Sequence, residues 1–172
     1  VILSVVAMHA GLAAQAQSVA GEGSFAANFV GYAEDSVPPV AIGPARFAGI
    51  VNSTLTTMNA ENARFLDHQT GRCLGIWETD EAAGTFQEHV RCAYTDADGD
   101  QIFERADFDE QPLEGDNVGT GRWVGGTGKY AGLSGVFEIR VRVLRSAREG
   151  IVQYVGTKQG RFGLPENETS SR

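Results

Sequence analysis

The first sixteen residues, Val1 to Ala16, contain no Asp, Glu, Lys or Arg, and the apolar run they form is short. A membrane-spanning helix needs roughly 20 apolar residues, so this stretch does not qualify as one. Histidine is scarce too: His9, His68 and His89 are the only three. His68 and His89 lie on different elements with no ligand-type spacing, which argues against a His-based metal or acid–base centre. Cysteine numbers two, too few for a structural zinc site without histidine partners. Positive charge is in deficit, with 14 Lys and Arg against 22 Asp and Glu and a net charge of −8. Such a chain repels phosphate backbones and anionic lipid, so no nucleic-acid partner is expected. The chain lacks a G-x-S-x-G elbow and a P-loop. Gly121 to Gly128 is glycine-rich but has neither the Lys-Ser/Thr ending nor the following helix that phosphate binding requires. Helix-period stretches are few; Met58 to Leu66 is the one candidate, and Asn59 and Asn62 weaken it.

What remains is a glycine-rich, turn-punctuated chain. Glycine numbers 22 of 172 residues, against a usual share of about 7 %. Strand-like runs fall near 25–33, 46–58, 63–67, 72–79, 85–95, 101–108, 118–124, 135–145 and 151–162. Gly, Asn, Asp and Pro separate them, as in Pro38-Pro39, Asp98-Gly99 and Glu149-Gly150. This spacing predicts an all-β sandwich or barrel. Val136 to Leu144 alternates most cleanly: Phe137, Ile139, Val141 and Val143 share one face, Glu138, Arg140 and Arg142 the other. The two arginines read as a solvated face or as a stripe facing an anion or subunit.

Ala14-Gln15-Ala16 closes the uncharged opening segment with an A-x-A cleavage pattern. The expected organisation is a signal peptide over 1–16 whose start is truncated, a single β-barrel domain over 17–164, and a disordered tail over 165–172. The mature form is then expected without a membrane span and in the periplasm or secreted.

Export bears on Cys73 and Cys92. If Glu81 to Gly84 turns a hairpin, facing residues sum to 165, so 73 meets 92, 75 meets 90 and 77 meets 88. Opposed Cα atoms then stand about 4.5–5.5 Å apart, within disulfide range. A bridge across this loop contributes about 3 kcal/mol in the chain-entropy model. Two free buried thiols are the alternative. The same pairing puts Gly75, Trp77, Phe86 and Val90 on the disulfide face. Gly75 opposite Val90 leaves room there, and Trp77 and Phe86 either wall a ligand site or fill a core. Whether Ile102 or Phe103 joins this wall depends on the register of the Asp98-Gly99 hairpin.

Asp96-Ala97-Asp98-Gly99-Asp100 resembles a calcium loop, but an EF-hand wants Gly sixth and Glu twelfth, and those places hold Gln101 and Asp107. A hairpin turn fits better, and no metal is expected. No cofactor is indicated either.

The run Val124-Gly125-Gly126-Thr127-Gly128-Lys129-Tyr130-Ala131-Gly132-Leu133-Ser134-Gly135 is the most distinctive in the chain. It resembles the G-G-T-G-[KR]-[FY]-x-G-x-x-G signature of the allene oxide cyclase and dirigent-like barrel superfamily. It is also similar to small exported bacterial members of unassigned function, in which a Cys-flanked hairpin and a D-x-D-G-D turn precede the glycine motif. The resemblance implies a closed antiparallel barrel of about eight strands with an apolar internal cavity, assembled as a dimer or trimer. No catalytic residue carries over from it. Tyr130 is expected to fold back as an aromatic plug. The expected function is binding of a small apolar or aromatic molecule in the lumen, with Trp77, Phe86, Val90 and Tyr130 as candidate contacts. A cyclase or isomerase using the same cavity is the alternative, since such an enzyme works largely by holding its substrate in shape. A structural or partner-binding protein with a filled core is the third.

Overall fold

The computed structural model describes residues 21–34, 37–61 and 63–165. The expected signal segment 1–16 and all of the expected tail beyond Pro165 lie outside them. Among the described residues, nine strands form one antiparallel sheet: β1 (Glu22–Glu34), β2 (Val40–Gly43), β3 (Arg46–Asn59), β4 (Gln69–Asp80), β5 (Thr85–Thr95), β6 (Gln101–Pro112), β7 (Asn117–Gly126), β8 (Gly135–Val143) and β9 (Ile151–Gly163). The spatial order is β1-β9-β8-β7-β6-β5-β4-β3-β2, and β1 also pairs with β3. That second pairing closes eight strands into a barrel and removes the open edges that a sheet of this length would otherwise present.

β2 is the strand outside the closure. It pairs with the start of β3, from Val40 opposite Ala48, where β1 no longer reaches. It is four residues long and follows Pro38-Pro39, a context that hides a strand from sequence patterning and suits an edge. Among the described residues, no helix is long and apolar enough to cross a membrane.

Two expectations fail between Met58 and His68. The segment 63–67 is no strand and Met58 to Leu66 is no helix. Asn59 is the cause. Its Oδ1 accepts from the amides of Glu61 (2.8 Å) and Ala63 (3.1 Å), and its Nδ2 donates to the Phe65 carbonyl at 2.7 Å. Local side-chain bonds of this kind outcompete helical ones. The resulting loop drops Phe65 and Leu66 into the barrel end, where both are buried.

Inside the barrel the pleat alternates aromatic rings with glycines. A Cβ on Gly121 would stand 2.0 Å from the Phe137 ring, and one on Gly49 would stand 2.3 Å from Trp77. Glycine is needed here for close approach, which accounts for part of its abundance. Gly75 does not leave room, contrary to expectation: a Cβ there would meet the His89 carbonyl oxygen at 2.2 Å, because the backbone of β5 already fills the space. Phe137 and Ile139 are buried and Val141 packs against the core, but Val143 is 54 % exposed because β8 ends at the rim.

Candidate functional site

The hairpin arithmetic over β4 and β5 holds. Cys73 faces Cys92, Gly75 faces Val90 and Trp77 faces Glu88. Cys73 and Cys92 are bridged, with Cα atoms 4.1 Å apart, and both are buried on the inner face. The next hairpin puts Ile102, not Phe103, on that face: Ile102 is fully buried and lies opposite Tyr94.

The two ends of the barrel differ. At one end the loop at 60–68 and the turn after β7 plug the lumen. Phe25, Phe65, Trp123, Phe137 and Phe162 pack there, with Phe65 and Phe162 stacked at 4.2 Å. Tyr130 belongs to this plug: it is buried, and Gln69 Nε2 donates to its hydroxyl at 3.0 Å. At the other end the inward-facing residues Trp77, Thr79, Phe86, Glu88, Val152 and Tyr154 are all only half-buried. Of the four candidate contacts, Trp77 and Phe86 sit in the open half, Val90 is buried in the core beside the disulfide, and Tyr130 sits at the closed end. A pocket of about 70 Å³ opens at the rim beside Thr79 and Phe86. A second, shallow groove of about 430 Å³ crosses the outer face of β6 to β9 and includes Asp107, Val118, Val136 and Glu138.

Between the halves lies a buried polar group that sequence reasoning missed. The Lys158 ammonium contacts Glu104 Oε2 and lies 2.5 Å from the Tyr94 hydroxyl, which donates to Glu104 Oε2 at 3.0 Å. Both charged side chains are 1 % exposed. The rings of Tyr94, Phe137, Phe29 and Trp123 stand 4.8, 5.3, 5.5 and 5.9 Å from the ammonium. This is a cation–π enclosure closed by a carboxylate. Burial pulls the Lys158 ammonium below its ordinary range, against the opposing pull of Glu104. Burial pushes the Tyr94 hydroxyl well up, and the Glu104 charge adds to this. The signal for Glu104 is its place as the second member of the alternating set Ile102, Glu104, Ala106, Phe108; Lys158 shares its face with Tyr154, Gly156, Gly160 and Phe162. Neither charge stands out until the strands are paired.

Glu88 is the carboxylic acid among the half-buried inner residues of the open half named above. Trp77 and Phe108 are its directly paired neighbours on β4 and β6, and Phe86 precedes it on the same face. Burial raises its carboxyl to about 7, despite the opposing influence of His89. Across the lumen, burial raises the Tyr154 hydroxyl, opposed by a hydrogen bond with Ser53 and reinforced by the charge of Glu88. His89 itself points outward, its Nδ1 2.8 Å from Asp107 Oδ1.

The D-x-D-G-D turn carries its own cation. Lys129 Nζ lies 2.6 Å from Asp96 Oδ2 and 2.5 Å from Asp98 Oδ2, and the Lys129 amide donates to Asp100 Oδ2 at 3.2 Å. Asp96 Oδ1 accepts from the amides of Asp98 and Asp100. Burial alone would raise the Asp96 carboxyl, but Lys129 and the Asp98 amide bring it below its ordinary value. The acidic turn and the glycine motif are thus joined by one ion cluster. On β8, Arg140 bonds Glu138 and Arg142 bonds Asp116, all on the exposed face.

No family model and no curated protein matches the chain. Among solved structures it is similar to a pterocarpan synthase dirigent protein, with a TM-score of 0.52 and 14 % identity over 86 % of this chain and 93 % of that one. Likeness at that identity is a likeness of fold. The closed eight-stranded barrel, with β2 added at its edge, shares its fold with that dirigent protein.

Proposed function

We propose that the protein is a binding barrel that takes a small apolar or aromatic molecule into the open half of its lumen. One observation carries this: the inner face is fully buried toward the plug, yet Trp77, Phe86, Glu88 and Tyr154 on the same face remain accessible toward the rim. Apolar and aromatic walls with a few convergent polar groups are what small-molecule sites usually present. Trp77 and Phe86 supply the walls above the buried Val90, and Glu88 and Tyr154 supply the polar contacts. Tyr130 takes no part, since the plug separates it from the mouth.

Titration with a hydrophobic dye, followed by tryptophan emission, tests this. Saturable binding is expected, weakened at least about fivefold by Phe86→Ala, in line with the loss of an aromatic contact. Tyr130→Phe should leave the affinity unchanged. Binding that ignores Phe86, or no saturable binding by any apolar probe, would overturn the proposal.

A second reading is supported by Glu88. A carboxyl that titrates near neutrality in an aromatic mouth is suited to general acid–base work, as a cyclase or isomerase would need. Export to the periplasm or the outside accords with the Cys73–Cys92 bridge, because disulfides persist in oxidising compartments. Assembly as a dimer or trimer is supported by the outer face of β1, β3 and β4, where Val30, Tyr32, Ile50, Leu74 and Ile76 are exposed and Ile50 directly faces Ile76.

A further inference from the structure

We infer that the outer face of β5 to β9 binds an acidic linear saccharide, a chain of uronic-acid sugars whose carboxylates lie along a row of arginines. This site is separate from the lumen, and neither binding function depends on the other.

Strand pairing builds the row. Arg91 on β5 lies directly opposite Arg105 on β6, and Arg105 lies directly opposite Arg122 on β7. Arg122 faces Val136 on β8. The register of β8 with β9 runs from Ser134 opposite Gly163 to Phe137 opposite Gly160, which sets Arg161 opposite Val136. Arg72 on β4 stands in the neighbouring row, opposite Ala93. Arg72, Arg91, Arg122 and Arg161 are exposed, and Arg105 is half-buried. Five of the chain's 14 basic residues thus share one face of a protein whose net charge is −8.

Like charges set directly opposite one another destabilise a sheet. The barrel's own carboxylates relieve little of that cost. Arg105 Nε lies 2.8 Å from Asp107 Oδ2. Among the described residues, Arg72, Arg91, Arg122 and Arg161 form no ion pair. Folding gains nothing from three opposed arginines, whereas a polyanion laid across them neutralises them together.

The row has the shape for a chain. Its members stand about one strand spacing apart, about 4.8 Å, and from Arg91 to Arg161 it runs about 19 Å over the outside of the barrel. Guanidinium forks suit carboxylates, which they bind two bonds at a time. An extended acidic peptide repeats its same-face carboxylates about every 6.6 Å and falls out of step with the row. A chain of uronic-acid sugars presents one carboxylate per ring, close to one strand spacing. Half-exposed Phe103 and exposed Val124 and Val136 lie among the arginines and offer apolar surface to the ring faces.

The acidic parts of the surface leave the row accessible to an anion. In the neighbouring groove, Asp107 is engaged by Arg105 and Glu138 by Arg140. Arg91 is six residues from Thr85, where β5 begins at the acidic rim. That is about 20 Å along the strand, well beyond the Debye length of about 8 Å in physiological salt.

Calorimetric titration with an oligogalacturonate, its neutral methyl ester and an oligoglutamate of equal charge tests the inference. The oligogalacturonate should bind saturably, the ester should not, and affinity should fall at least about fivefold from about 50 to about 200 mM salt. The double variant Arg91→Gln with Arg122→Gln should weaken binding about tenfold, the scale of two exposed ion pairs. Arg142→Gln, whose arginine pairs with Asp116 outside the row, should leave it unchanged. In thermal unfolding the double variant should be at least as stable as the wild type, because opposed like charges have been removed. A loss of stability there would make the row structural and overturn the inference. Oligoglutamate binding as tightly as the oligogalacturonate would overturn it in favour of an acidic peptide. A wild-type oligomer that the double variant dissociates would overturn it in favour of an interface between copies. Absence of oligogalacturonate binding, or binding that ignores the double substitution, would overturn it outright, and in every case the dye titration of the lumen stands or falls by itself.

Discussion

Removing the Lys158 ammonium should be among the most damaging single changes in this barrel. Lys158→Met keeps the length of the side chain and deletes its charge. The Glu104 carboxylate, 1 % exposed, then retains only the Tyr94 hydroxyl on Oε2, while Oε1 already lacks a protein partner. Breaking a buried ion pair from one side costs about 3–5 kcal/mol, because the remaining charge is left uncompensated in a medium that cannot solvate it. A domain of this size is stable by about 5–15 kcal/mol in total, so the midpoint in urea should fall by about a fifth or more. Glu104→Leu should cost a similar amount, softened by the four rings that still face the ammonium. The double variant Lys158→Met with Glu104→Leu should recover most of the loss, since two apolar side chains need no compensation. The assay is equilibrium urea unfolding of all four proteins, followed by Trp123 emission, with the coupling energy taken from the cycle. A loss below about 1 kcal/mol for Lys158→Met, or single losses that simply add in the double variant, would show that the pair is not held as described.

Two further outcomes follow from the same geometry. Glu88 titrates near 7 in the folded barrel against an ordinary 4.5, so the folded state binds more protons between those values and the group's contribution to stability falls as pH rises through them. Glu88→Gln should therefore raise the unfolding temperature at pH 8 and leave it unchanged at pH 4, by an amount below about 3 kcal/mol because Glu88 keeps some contact with water; a stabilisation present equally at both pH values would refute the linkage. Phe137→Ala should cost about 3–5 kcal/mol in urea unfolding, whereas Arg140→Ala, on the exposed side of the same strand, should stay within about 0.5 kcal/mol. Comparable losses at both positions would place Arg140 in a buried interface.

Local order along the chain was legible in the sequence because it depends on periods of two and on turn chemistry. The expected strand 85–95 coincides with β5, and the Glu81 to Gly84 turn alone fixes the register that sets Cys73 on Cys92. Alternation also gave the inner set of β8 as far as Val141, and the glycine motif with Tyr130 pointed to the fold. The places where reading failed are those where a single side chain overrules the local pattern. Asn59 turns an apolar run into a loop, and two prolines mask the edge strand β2.

What only the tertiary structure decided is which inward-facing residues meet across the lumen. Lys158 and Glu104 are 54 residues apart in sequence. Each looks like a surface charge on its own strand, and they become a pair only when the barrel closes through β1 and brings β9 and β6 around to face each other. The same closure decides that Tyr130 plugs one end while Trp77 and Phe86 stay half-buried at the other. Period and turn signals act over a few residues, whereas closure is settled by the summed registers of eight strands. The site is therefore a property of the barrel's circumference, which no stretch of sequence encodes alone.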